Sequence, residues 1–208
     1  MSLINDNIRD FITRVNSSEP VPGGGSVSAL CGALAAALAG MVARLTAGRK
    51  KYADVEAEML DAIDTLGPHV DALIADIDRD SDAYAAVMNA FRMPKDTDEQ
   101  KSARSAAINQ ATRNAALVPL QVAQRVADIL PYIELVAIKG NSNACTDACV
   151  AAMCASTAIR GALLNVRINL SSIDDPDFVN PIAAKADELH DIAVQAEKRI
   201  LNLPTLNF

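Results

Sequence analysis

The sequence predicts an all-α protein, a bundle-like (orthogonal) helical domain built around two buried Ala-rich helices. Three observations carry that reading. Apolar residues recur at alternating steps of three and four over most of the chain. No stretch alternates with period two for long enough to be a strand. Half of the 208 residues are hydrophobic while aromatics make up 3% and Trp is absent, so Ala, Leu, Val and Ile must fill the interior. Such a core lets helix backbones approach closely and gains little from ring packing. The length is that of one domain, residues 1–208, large enough to bury a core.

The elements follow in order. Ile4, Ile8, Phe11, Ile12 and Val15 form a short amphipathic opener that ends at the 17–25 loop. Ser26 is placed to cap an apolar helix running to about Ala47, where Gly48 stops it. Ser28, Gly32, Ala36 and Gly40 make a stripe of small side chains on that helix, suited to a second helix in the bundle or across a two-fold axis. Val27–Ala43 is uncharged but falls short of the ~20 residues of a membrane span, and reads as a buried central helix. A helix from about Val55 to Ala90 follows, with a kink expected at Gly67–Pro68, and Pro94 ends it. Asp96 or Thr97 caps the next segment, whose first turn holds Asp98 and Glu99; Pro119 and Pro131 predict bent or broken helices up to Gly140. A second nearly charge-free helix spans Ala144–Leu170. After a loop at Asp174-Asp175-Pro176, Pro181–Leu201 closes the chain with Ile182, Ala186, Leu189, Ala193, Ala196 and Ile200 turned inward.

Composition excludes several classes. A net charge of −7 argues against a nucleic-acid backbone binder, which needs a basic face. Cys31, Cys145, Cys149 and Cys154 form no CxxC pair, and His69 and His190 are the only histidines, so no metal site is expected and the cysteines read as reduced, buried small hydrophobes. A basic region followed by an apolar run is missing from the N-terminus, so a cytoplasmic protein without membrane association is expected.

Asp80 is the most informative residue. The stripe Met59, Ile63, Leu66, Val70, Leu73, Ile77 continues through Asp80 to Tyr84, Val87 and Phe91, so a carboxylate occupies a position that should pack. Asp64, Asp71, Asp76, Asp78 and Asp82 fall off the stripe and are expected to be solvated. A buried carboxylate must be paired, protonated or used in chemistry; a cap, or an ion pair to an Arg of another helix, is as consistent with the pattern as catalysis.

Other segments suit ligand binding. Pro20-Val21-Pro22-Gly23-Gly24-Gly25-Ser26 exposes bare backbone before a helix N-terminus, which suits a carboxylate or the edge of a polar heterocycle, and it is not a GxxxxGK[ST] phosphate loop. Arg49-Lys50-Lys51 is a local basic triplet that reads either as a solvated helix end or as a collector of an anionic tail, and Lys95 is placed to reach the Asp80 region. Gly140-Asn141-Ser142-Asn143 and Asp147 form a polar entry into the second apolar helix, with Asn143 as the expected cap; Asn165 and Asn169 place two amides on one face near its end.

Taken together, these segments resemble the cyclodeaminase/cyclohydrolase family of folate enzymes. The resemblance rests on Pro22–Ser26 with Gly32–Leu38 and Met41-Val42, on Leu45–Tyr52, on Asp80 with Tyr84, and on Pro94-Lys95-x-Thr97. It extends through Val118-Pro119-Leu120, Gly140–Asn143 with Asp147, and Asn165–Asn169, in order from about Phe11 to Asp174. Thr146 is a small departure, where Ser is more usual. The resemblance implies an all-helical homodimer, a folate bound near the subunit interface, an acid matching Asp80 as proton donor, and a tetrahydrofolate derivative, possibly polyglutamylated, as substrate with no separate cofactor. The residues carried over as substrate-binding are Pro22, Gly23, Gly24, Gly25, Ser26, Arg49, Lys50, Tyr84, Lys95, Asn141, Asn143, Asp147, Asn165 and Asn169. The expected reaction is conversion of 5-formimidoyltetrahydrofolate to the 5,10-methenyl form with loss of ammonia. Hydrolysis of the methenyl bridge is the alternative, and a non-catalytic folate-binding or scaffold dimer a second one.

Overall fold

The computed structural model describes residues 2–204. Six α-helices account for most of it: α1 (Ile8–Val15), α2 (Gly24–Thr46), α3 (Glu56–Phe91), α4 (Asp98–Lys139), α5 (Cys145–Leu170) and α6 (Pro176–Leu201). Short 3-10 turns at Leu3–Asn5, Lys50–Val55 and Ser142–Ala144 link or precede them, and no strand occurs among the described residues.

Helix α2 lies at the centre, packed by α3, α4 and α5. Small residues make that possible. Ala29, Ala35, Ala36, Ala39 and Ala43 are fully buried. A Cβ on Gly32 would stand 2.6 Å from Val126 Cγ2 and 3.1 Å from Leu73 Cδ2, and one on Gly161 would stand 2.5 Å from Ser28 Oγ. The small-residue stripe therefore meets helices of the same chain. Gly40 is less confined, because its nearest neighbour is the flexible end of Arg44. These pairings set the directions: α3 and α5 run antiparallel to α2, since Gly25 meets Asp80 while Gly40 meets Leu66, and Gly24 meets Asn165 while Asn141 bonds to Leu45 and Thr46.

Several expectations need correction. Helix α2 begins at Gly24 with extended Gly23 as its cap, so Ser26 is interior to the helix and caps nothing. At 23 residues α2 exceeds the uncharged Val27–Ala43 core, and both it and Ser142–Leu170 are long and apolar enough to cross a membrane by length and composition; half or more of each apolar window is covered by the fold. Gly48 has φ +74, the left-handed conformation expected of a chain stop. Helix α3 runs unbroken through Pro68, and α4 is one 42-residue helix that includes Pro119 and Pro131. It opens on a capping box between Thr97 and Gln100. Proline removes the N–H that would bond the carbonyl four residues earlier. For Pro119 that carbonyl is Ala115 O, and Asn169 Nδ2 donates to it at 3.0 Å, so a side chain of α5 replaces the missing backbone donor.

The opener is also different: Phe11 is buried, but Ile4, Ile8, Ile12 and Val15 are exposed. Helix α6 starts at Pro176, five residues before the expected Pro181, because Asp175 accepts the N–H groups of Asp177 and Phe178. Its six inward residues are all buried. The four cysteines are half-buried and unpaired.

Candidate active site

The glycine segment, Asp80 and the two asparagines converge at one end of α2. Pro20, Val21, Gly23, Gly24 and Gly25 form one wall of a cavity of about 310 Å³; Asp80, Ala83, Tyr84 and Val87 of α3, Ala115 of α4, and Asn165 and Asn169 of α5 form the rest. Pro22, which follows a cis Val21–Pro22 bond, is buried and does not line the cavity.

Asp80 sits against the first turn of α2. Ser26 Oγ donates to Asp80 Oδ2 at 3.1 Å and lies 3.0 Å from Ile77 O, and the Ser26 side chain is fully buried. Ser26 is thus a partner of the carboxylate rather than part of the cavity wall. Burial pushes the Asp80 carboxyl above the ordinary carboxylate range, and hydrogen bonds from the Ser26 hydroxyl and backbone oppose this in part. Gly25 is a glycine because its Cβ would occupy the place of the carboxylate, 2.6 Å from Oδ2 and nearer still to Oδ1. The glycine segment and Asp80 of this cavity thus come from one and the same chain.

The asparagines use their amide N–H groups internally. Asn165 Nδ2 donates to Gly161 O at 3.0 Å, and Asn169 Nδ2 to Asn165 O at 2.8 Å as well as to Ala115 O. Neither Oδ1 accepts a hydrogen bond among the described residues, so both acceptors remain for a ligand at the cavity wall.

The remaining sequence-predicted residues lie elsewhere. Arg49, Lys50, Asn141, Asn143 and Asp147 gather at the opposite end of α2, about 33 Å from Gly24 at 1.5 Å per residue. There Asn141, not Asn143, is the cap: its Oδ1 accepts Asn143 N–H, its backbone N–H donates to buried Thr46 Oγ1 at 2.8 Å, and its Nδ2 to Leu45 O. Ser142 N–H donates to Tyr52 Oη at 3.0 Å. Asp147 lies in the first turn of α5. Lys95, exposed in the loop after α3, does not line the Asp80 cavity.

Asp76 is the second correction on α3. It is 1% exposed and ion-paired to Arg79 and to Arg125 Nε, the latter at 3.0 Å. The buried carboxylate tied to an Arg of another helix therefore exists one turn before Asp80, where the stripe predicted solvation. Asp78 is also engaged, accepting Leu3 N–H at 2.6 Å. Asp80 has no cation partner among the described residues.

Sequence reasoning missed Ala83, Val87 and Ala115 as cavity walls and Ser26 as the partner of Asp80. Alanines carry no chemical signal. The Ser26–Asp80 pair had one: two polar residues on faces that both must be buried.

A model of the formiminotransferase-cyclodeaminase family matches residues 7–188. The chain belongs to that family. It is 42% identical over 177 residues to a methenyltetrahydrofolate cyclohydrolase of Methylorubrum extorquens, covering 84% of each chain. It is 36% identical over 188 residues to the formimidoyltransferase-cyclodeaminase of Sus scrofa, covering 90% of this chain and 35% of that longer protein. The crystal structure of formiminotetrahydrofolate cyclodeaminase from Thermotoga maritima superposes with a TM-score of 0.85 at 28% identity, over 95% of this chain and 94% of that one.

Proposed function

We propose that this chain is a folate one-carbon enzyme that acts on the carbon carried between N5 and N10 of tetrahydrofolate, with Asp80 as its proton donor. The observation that carries this reading is a carboxyl raised by burial, free of any cation among the described residues, on the wall of a cavity of about 310 Å³. In cyclodeamination N10 attacks the formimidoyl carbon on N5. The resulting aminal nitrogen must gain a proton before its C–N bond breaks and ammonia leaves with the bonding pair. An acid that keeps its proton toward neutral pH suits that step. Once ionised, Asp80 faces the cationic methenyl product. The free Oδ1 atoms of Asn165 and Asn169 suit the N–H edge of a pterin, and Tyr84 offers it a ring face.

Hydrolysis of the methenyl bridge to the 10-formyl compound is the second reading. The 42% identity to a cyclohydrolase favours it. There an ionised Asp80 first takes a proton from water as it adds to the cationic bridge carbon, then returns it to N5 as the C–N5 bond breaks, while the hydroxyl proton of the adduct leaves to solvent as the formyl C=O forms. Purified protein given 5-formimidoyl- and 5,10-methenyltetrahydrofolate separately decides between them: methenyl absorbance rises in the first case and falls faster than the buffer rate in the second. Neither change would remove the enzymatic reading.

A homodimer is part of the same proposal. Leu34, Met41 and Leu45 on α2 and Val150, Met153, Leu164 and Ile168 on α5 remain exposed, the last two at 65% and 68%. A second copy is the simplest cover for such faces. Arg49, Lys50 and Asn141 can reach a cavity like that of Asp80 only if a partner presents it. Light scattering that reports 21.9 kDa at micromolar concentration would count against the dimer.

A further inference from the structure

A second cavity, also of about 310 Å³, opens between α5 and α6, lined by Thr157, Arg160, Gly161, Leu164, Arg167 and His190. Its lining contains two guanidinium groups and no carboxylate, in a chain of net charge −7. Arg167 donates to Asp187, which is 74% exposed and so draws little from the pair. Arg160 forms no ion pair or hydrogen bond among the described residues. An unpaired guanidinium facing a concave, carboxylate-free surface is arranged for an anion that offers paired oxygens.

The two cavities share one stretch of α5. Gly161 lines the basic cavity, and its carbonyl accepts Asn165 Nδ2, a wall of the Asp80 cavity. Leu164 and Asn165 are consecutive, so their side chains leave the helix about 100° apart, one toward each cavity. The two cavities thus lie on adjoining faces of one stretch of α5, which places Arg160 and Arg167 within about two helix turns of the Asn165 wall of the Asp80 cavity.

We propose that this basic cavity binds the glutamate carboxylates of the folate tail, with Arg160 as the principal contact. The proposal rests on the folate reading given above. It replaces Arg49, Lys50 and Lys95, which lie away from the Asp80 cavity of the same chain, as the groups that meet the tail.

The test has two arms. In the first, tri-γ-glutamate is titrated calorimetrically into the intact protein and into Arg160→Gln. Arg160 has no internal partner, so the variant keeps its fold, checked by circular dichroism. Binding to the parent and a weakening of about tenfold or more in the variant are expected, the size of a lost charge-assisted contact. Arg160→Lys, with the charge but not the fork, falls between. In the second arm, Arg160→Gln raises KM for the oligoglutamyl substrate by about tenfold while kcat stays within about twofold, as for a contact made equally in ground and transition states. Absence of tri-γ-glutamate binding to the parent, equal binding to parent and variant, or an unchanged KM overturns the proposal. The first arm needs no turnover, so failure of the folate reading itself appears separately, as a parent that processes neither folate.

Discussion

Gly25 and Asp80 occupy adjoining space so completely that a single methyl group on one displaces the carboxylate of the other. The backbone of the α2 first turn is pressed against the acid, and Ser26, the next residue, holds it by a hydrogen bond. Gly25→Ala should therefore leave the helix formed, since Ala favours it, while moving Asp80 from its place. Misplacement of a reacting group by about 1 Å costs on the order of a hundredfold. A fall of that order in kcat with little change in far-ultraviolet circular dichroism is expected; full activity in the variant would mean that Asp80 need not stand where it does.

Asp80→Asn should lower turnover by roughly a hundredfold or more, the usual scale of acid–base catalysis. Its stability should change in the opposite direction. Burial raises the folded-state pKa above the unfolded value, so the stability contributed by the proton is present below the unfolded pKa and lost as pH rises through the folded one. The variant, which cannot ionise, should melt higher than the parent at pH 8, and the difference should close in acid. In the parent, a rate limited by proton donation should decline as pH rises through the same elevated pKa. A variant that melts lower at every pH would show that the carboxylate, not its proton, is what the fold favours there.

The helical plan was readable because its signals are local and repeated. The six inward residues of α6 are buried, and the stripe of α3 packs through Met59, Leu66, Leu73 and Ile77. The off-pattern Asp80 was legible for the same reason. Asp76 was not, because the surface that buries it belongs to Arg125 on a distant helix, which no periodicity within α3 reports. Pro119 of α4 misled in a related way: the carbonyl it orphans, Ala115 O, finds a donor in Asn169 of α5, a partner that no local pattern in α4 reports. Around the site, the chemically distinctive residues stood out while Ala83 and Ala115, which simply leave room, gave no sign.

Asp76 therefore predicts a stability effect, not a mild one. Asp76→Ala leaves Arg79 and Arg125 without their shared acceptor, and Asp76→Asn keeps the shape without the charge. Removing one partner of a buried pair costs about 3–5 kcal/mol, which here should be scaled down because Arg79 and Arg125 retain solvent access. Urea unfolding should show Asp76→Ala as the more damaging of the two, with the folded fraction of each keeping its turnover within a few-fold.

Asn169→Leu tests whether the amide is needed for the fold as well as for the cavity. It removes the donor to Ala115 O, the carbonyl orphaned by Pro119, and leaving such a group unsatisfied costs about 1–3 kcal/mol. Pairing it with Pro119→Ala, which restores a backbone N–H for Ala115 O, should recover much of that loss. If the double variant is no more stable than Asn169→Leu alone, the side chain is not standing in for the missing backbone bond.

At the far end of α2, Tyr52 offers a spectroscopic test of the Gly140–Asn143 loop. Hydrogen bonds from the Ser142 hydroxyl and backbone N–H, followed by the nearby Lys51 ammonium, lower its pKa from the usual phenol value to about 8. Lys51 Nζ lies 5.0 Å from the ring centroid, and Ser142 N–H donates to the phenol oxygen at 3.0 Å. An ultraviolet titration of the intact protein should therefore show a phenolate inflection near pH 8 that is absent from Tyr52→Phe. Ser142→Ala, which removes the hydroxyl but keeps the N–H, should move the inflection upward without abolishing it. An unchanged titration curve in Tyr52→Phe would mean that the loop does not stabilise the phenolate, and that the contact tying Lys50–Val55 to Ser142 is weaker than its geometry implies.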